Sequence, residues 1–172
     1  MGKEKSKDHS LETDLMAALD FTVMGLGANQ DGHLSQQQKT RLQYERKQAL
    51  LFAIPISLVV IPIALLFLAY NVRHPAEWGY GGIGLGLLLG FTLIPFRRAI
   101  RLTRDLRANR VEAVQGYVSL DMNGSQCSVT IGNQTWQVNK NVFLAFKNGD
   151  PYCLYYLPHS RTLLSAEWLR EE

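Results

Sequence analysis

The sequence predicts an α+β membrane protein: a two-helix transmembrane hairpin followed by a small SH3-like or OB-like β-barrel domain. Three observations predict it. Ala49 to Tyr70 runs 22 residues without a charge, and Trp78 to Phe96 runs 19 more. A hydrocarbon core of about 30 Å needs roughly 20 helical residues, so both blocks are of spanning length. The third observation is an alternation of apolar and polar residues after Val111, punctuated by tight-turn dipeptides. The 47% hydrophobic content and mean hydropathy of −0.07 look ordinary only because polar flanks dilute the two blocks. Of 172 residues, what the spans leave is too little for a large soluble catalytic core.

Residues 1–48 read as a cytoplasmic helical segment. Leu11, Leu15, Leu19 and Val23 recur at four-residue spacing and make one apolar stripe of a helix capped by Ser10. The run Gly25 to Gly32, GLGANQDG, should break that helix. Ser35, with Gln38 three residues on, forms a capping box for a second helix. No breaker lies between Gln36 and Leu50, so this helix should continue into the first span. Gly27 to Gln38 partly imitates a calcium loop, but Gly27 and Gln38 stand where acids are required, and a turn with a capping box explains the segment.

Residues 49–70 form the first span. It is too long and begins too late for a cleaved signal peptide. Pro55 and Pro62, seven apart, should bend it and free backbone carbonyls. Residues 71–77 make a short extracytoplasmic loop, and residues 78–96 the second span. There Gly82, Gly86 and Gly90 share one face, which lets another helix approach closely: either the protein's own first span, or a second copy or partner helix. Neither span holds an ionisable residue, the usual mark of an ion path.

Seven of the 18 Lys and Arg precede the first span and ten follow the second. The positive-inside rule then places both termini in the cytoplasm, for a multi-pass protein of the cell's inner (plasma) membrane. Residues 97–110 read as a basic juxtamembrane helix carrying Arg97, Arg98, Arg101, Arg104, Arg107 and Arg110. These arginines either bind anionic lipid head groups, at about 1 kcal/mol each, or serve orientation alone. Nucleic acid is disfavoured, because Val111 to Glu172 carries four basic and six acidic residues. A cytoplasmic setting keeps Cys127 and Cys153 as buried thiols.

Residues 111–172 read as the cytoplasmic β-rich domain. Alternation over Val114 to Met122, the turn Asn123-Gly124, alternation over Cys127 to Ile131 and the turn Gly132-Asn133 give three strands. Asn139 caps a short helix, and PYCLYYL and RTLLSAEWL supply two more strands. Three strands, a short helix and two strands in about 60 residues suit a small barrel that hides its edges by closing. Alternation should turn about half the aromatic residues outward. Trp136, Tyr152, Tyr155, Tyr156 and Trp168 are therefore candidates for binding a partner, with core filling and membrane-surface contact as the other uses.

No catalytic constellation, metal set or cofactor motif emerges. His9, His33, His74 and His159 are scattered without ligand spacing. Ser160 beside His159, with Cys153 nearby, lacks a nucleophile elbow and an oxyanion loop. The stretch Asn148 to Leu169, NGDPYCLYYLPHSRTLLSAEWL, resembles the close of a domain in uncharacterised bacterial two-pass membrane proteins, where a tyrosine-rich strand, Pro-x-Ser-Arg and Leu-Leu-Ser recur. Asn29 to Gln38, NQDGHLSQQQ, is similar to the Gly-x-Leu-Ser-x-x-Gln element preceding the first span in such proteins. The resemblance covers about a fifth of the chain and implies architecture and a bacterial source, with no activity. The expected function is that of a noncatalytic membrane protein. It would be an accessory or scaffold subunit, in contact with membrane lipids, that binds a protein partner or further copies of itself, with no small-molecule substrate. The alternative is a small sensor in which the bends at Pro55 and Pro62 couple bilayer state to the cytoplasmic domain.

Overall fold

The computed structural model describes residues 12–73 and 78–169. It is α+β. Helix α1 covers residues 12–19, followed by α2 (Val23–Gln30), α3 (Gln36–Arg73) and α4 (Trp78–Ala108). Then come β1 (Glu112–Asn123), β2 (Gln126–Ile131), β3 (Gln134–Val138), α5 (Lys140–Ala145), β4 (Pro151–Tyr156) and β5 (Leu163–Trp168). The chain forms two compact units, one from Met1–Thr40 with Ala108–Glu172 and one from Arg41–Arg107.

In the first unit the expected stripe is met in part: Leu15 and Leu19 are buried, whereas Val23 is 68% exposed and opens α2, and Leu11 lies outside the described residues. The expected cap at Ser10 lies outside the described residues. The break comes earlier than Gly25, at Asp20, whose φ of 54° is left-handed. Thr22 then caps α2, its Oγ1 accepting from Gly25 N at 3.2 Å. Gly25 to Gln30 is helical because Leu26 and Asn29 are buried, and that burial outweighs a glycine cost of about 1 kcal/mol per residue. The capping box forms as read: Gln38 N donates to Ser35 Oγ at 3.3 Å and Ser35 N donates to Gln38 Oε1 at 3.0 Å.

The sheet is antiparallel with strand order β3-β2-β1-β4-β5. Long β1 serves two partners, pairing β4 through Glu112↔Tyr156 to Tyr117↔Pro151 and β2 through Val118↔Ile131 to Asn123↔Gln126. The handover needs a close approach, since a Cβ at Gly116 would stand 3.0 Å from Ile131 Cγ2. The sheet curls strongly. Trp136 on β3 reaches Tyr156 on β4 edge-to-face, centroids 5.3 Å apart, and Gln134 Nε2 donates to the Tyr156 hydroxyl at 3.1 Å. Asn139 caps α5 by accepting from Val142 N at 2.8 Å. Both cysteines are free and buried.

The expected SH3-like or OB-like barrel does not close. β3 and β5 remain at opposite ends of the sheet order, and α2 packs on a face of β5 through side chains. Asn29 Nδ2 donates to Ser165 Oγ at 2.6 Å and Gln30 Nε2 to Glu167 Oε2 at 3.0 Å. A further tie joins the two parts of this unit, Val111 N donating to Gly32 O at 2.9 Å.

The second unit holds α3 from Arg41 and α4 up to Arg107. α3 passes through Pro55 and Pro62 without a break. Its segment Gln36–Tyr70 is long and apolar enough to cross a membrane, and 11% of its apolar window is buried. Ala53 and Ala64 are buried, while Leu51, Phe52, Leu58, Val59, Leu65 and Leu66 are exposed. On α4, Ala99, Leu102 and Asp105 recur every three residues and are buried. Arg98 on α4 meets Glu45 on α3 at 3.4 Å. The side chains of most of the second predicted span lie outside the described residues.

Candidate functional site

Three sets of residues were marked by the sequence: the glycine face, the arginine cluster and the aromatic strands. On α4 a helical step of 100° per residue puts Gly86 and Gly90 on one face. Both are exposed, and a Cβ at either would meet nothing within 4 Å. Neither packs on α3. The surroundings of Gly82 lie outside the described residues.

All six arginines from Arg97 to Arg110 are exposed, but the structure divides them. Arg98 pairs with Glu45, 3.4 Å away, and Arg110 with Glu112, 3.5 Å away. Among the described residues Arg97, Arg101, Arg104 and Arg107 have no carboxylate within ion-pair distance. Glu45 is itself shared, since Arg41 lies 3.5 Å from its other oxygen.

The aromatic candidates need correction. Trp136, Tyr152, Tyr155 and Tyr156 are buried and offer no open face to a partner; Trp168 alone is half-exposed. The cause lies in β4, whose burial is continuous from Tyr152 to Tyr156 instead of alternating. It is a central strand of a curled sheet, so both of its faces are covered. Tyr152 packs edge-to-face on Phe146, centroids 5.1 Å apart, and its hydroxyl accepts from Lys147 N at 3.2 Å. Burial pushes the Tyr152 phenol above its ordinary value. Burial also raises Tyr155, reinforced by neighbouring Cys153 and Glu167; its hydroxyl donates to Glu167 Oε2 at 3.3 Å.

Among the described residues the first unit carries a shallow groove of about 380 Å³ between α1 and α5, lined by Asp14, Ala17, Ala18, Asn141, Leu144 and Ala145. Leu144 is 68% exposed. Among the described residues no three His, Cys, Asp or Glu side chains converge as metal ligands. His159 and Ser160 sit in the turn before β5.

Two residues that sequence reasoning missed, Asn29 and Ser165, hold the first unit together. Asn29 is 2% exposed and Ser165 0%, and Asn29 Oδ1 has no partner among the described residues. Ser165 carried a signal, a small polar residue at the centre of the apolar strand LLSAEW. Asn29 carried none, because it falls in a stretch read as a break. No family model, no curated relative and no solved structure matches the chain.

Proposed function

We propose that this is a noncatalytic two-pass membrane protein with both termini in the cytoplasm, of the bacterial kind that Asn29–Gln38 and Asn148–Leu169 resemble. It would act as an accessory or scaffold subunit. One observation carries the reading: a helix of membrane-crossing length leaves a folded unit to which the chain later returns. Gln36–Tyr70 starts from the unit containing Met1–Thr40, and the same unit contains Ala108–Glu172. A chain that crosses along α3 must therefore cross back before residue 108, and Trp78 to Phe96 is the other uncharged stretch of that length. The exposure of α3 agrees, since a helix apolar on all sides finds its solvent in lipid.

Gly86 and Gly90, open on α4, supply the face for a second copy or a partner helix. On the first unit, the groove beside Leu144 and half-exposed Trp168 take the role assigned to the buried tyrosines. Topology is tested with an impermeant maleimide on intact cells: Ala76→Cys should label, and Ser6→Cys only after lysis. Equal labelling of both would overturn the two-pass reading. Association is tested by mass determination after gentle-detergent purification. A monomer without companion, unchanged by Gly86→Leu, would overturn the subunit reading.

A further inference from the structure

We propose that Arg97, Arg101, Arg104 and Arg107 form a binding stripe for the head groups of anionic phospholipids in the cytoplasmic leaflet. The inference rests on the two-pass reading and deepens it. At 100° per residue, Arg97, Arg101 and Arg104 fall within about 60° of one another, with Arg107 about 60° further round. Ala99, Leu102 and Asp105, all buried, centre about 155° round the helix from the four arginines. The stripe therefore points away from the packed side of α4, and its four guanidinium groups are exposed.

The charge balance of this end of the second unit is one-sided. Arg41, Arg46 and Lys47 on α3 join the five arginines of α4 up to Arg107, against Glu45 and Asp105. Asp105 is 0% exposed and Glu45 is shared between Arg41 and Arg98. No exposed carboxylate is left among the described residues of this end to neutralise the stripe. Arg97 directly follows the uncharged block ending at Phe96, which sets the start of the stripe at the head-group layer. Four fork-shaped donors, spread over about 15 Å of helix from that layer toward the cytoplasm, match phosphodiester anions, whereas the opposed charges at Arg98 and Arg110 are already met.

The test uses the full chain purified in mild detergent, with native mass spectrometry counting bound phosphatidylglycerol against phosphatidylcholine. At about fivefold per arginine near the surface, Arg101→Gln with Arg104→Gln should lower the preference for phosphatidylglycerol roughly 30-fold. Arg98→Gln should lower it far less. Equal binding of the two lipids by the unaltered chain, or an Arg98→Gln effect as large as the double variant's, would overturn the proposal. So would displacement of phosphatidylglycerol by a soluble oligonucleotide at matched charge concentration. Carbonate extraction separates this failure from failure of the membrane reading: a chain released to the soluble fraction sinks the latter, while one that stays without lipid preference sinks only the stripe.

Discussion

Ser165→Ala tests whether the N-terminal helices and the C-terminal sheet are one folding unit. Ser165 and Asn29 are 0% and 2% exposed, so the 2.6 Å bond between them is shielded from water. Removing the hydroxyl leaves the Asn29 amide with neither polar atom partnered, because Oδ1 already has none. A buried polar group left unmatched costs about 1–3 kcal/mol. Near 2 kcal/mol, that amounts to roughly 8–16 °C in the melting temperature of a domain of this size. Asn29→Leu with Ser165→Ala replaces the pair by apolar groups and should recover much of the loss, giving a coupling of about 1–2 kcal/mol. Val111 N still bonds Gly32 O, so α2 should loosen without leaving. The assay is thermal unfolding of the detergent-solubilised chain together with hydrogen exchange at the β4 and β5 amides. Unaltered melting and exchange in Ser165→Ala, or a coupling of zero, would refute the reasoning.

Three further outcomes follow from the packing of the first unit. Gly116→Ala should destabilise the first unit by about 1–3 kcal/mol by overpacking, since the new methyl would stand 3.0 Å from Ile131 Cγ2 and Ile131 is 0% exposed. Gly27→Ala, helical with open space around it, should instead stabilise by about 0.5–1 kcal/mol; thermal melts of the two variants shifting in the same direction would contradict this. Alkali should unfold the sheet. Tyr152 and Tyr155 titrate above the unfolded value of 10.0, so the folded state holds their protons more tightly. Their contribution is present in full below pH 10.0 and is lost as pH rises toward the folded values. Tyrosinate absorbance at these two positions should rise together with loss of β-sheet signal, and ionisation at pH 10.0 with the sheet intact would contradict the burial.

Features governed by near neighbours in the chain were legible in the sequence. The Ser35–Gln38 box, the Asn139 cap and the helix running unbroken from Gln36 into the first apolar block each depend on contacts within a few residues. So do the hairpins at Gly124 and Gly132, both with left-handed φ, 61° and 57°. Features set by distant partners were not legible. The α2–β5 contact joins residues 136 apart, and no periodicity in either segment announces the other. That contact also places α2 on the face that Ser165 shares with its register partner Tyr155 of β4. The tyrosines assigned to a partner surface followed the alternation rule, which holds when one face of a strand meets water. The unbroken apolar run PYCLYYL already hinted otherwise. For the arginines, spacing placed all six on one helix, but α4 ends at Ala108 and leaves Arg110 beyond it, and only the positions of Glu45 and Glu112 distinguish the two that are paired.

The bond between Asn29 and Ser165 also sets a timetable for biosynthesis. A ribosome adding about 5–20 residues per second needs on the order of ten seconds to make the residues between them. Throughout that interval α2, whose Leu26 and Asn29 are buried in the finished protein, has no β5 to pack on. Contacts of such long sequence separation form slowly even once both ends exist. The N-terminal segment therefore waits for its partner strand until β5 has been made. A chain cut short before β5 would leave the Asn29 amide without its bond to Ser165 for good.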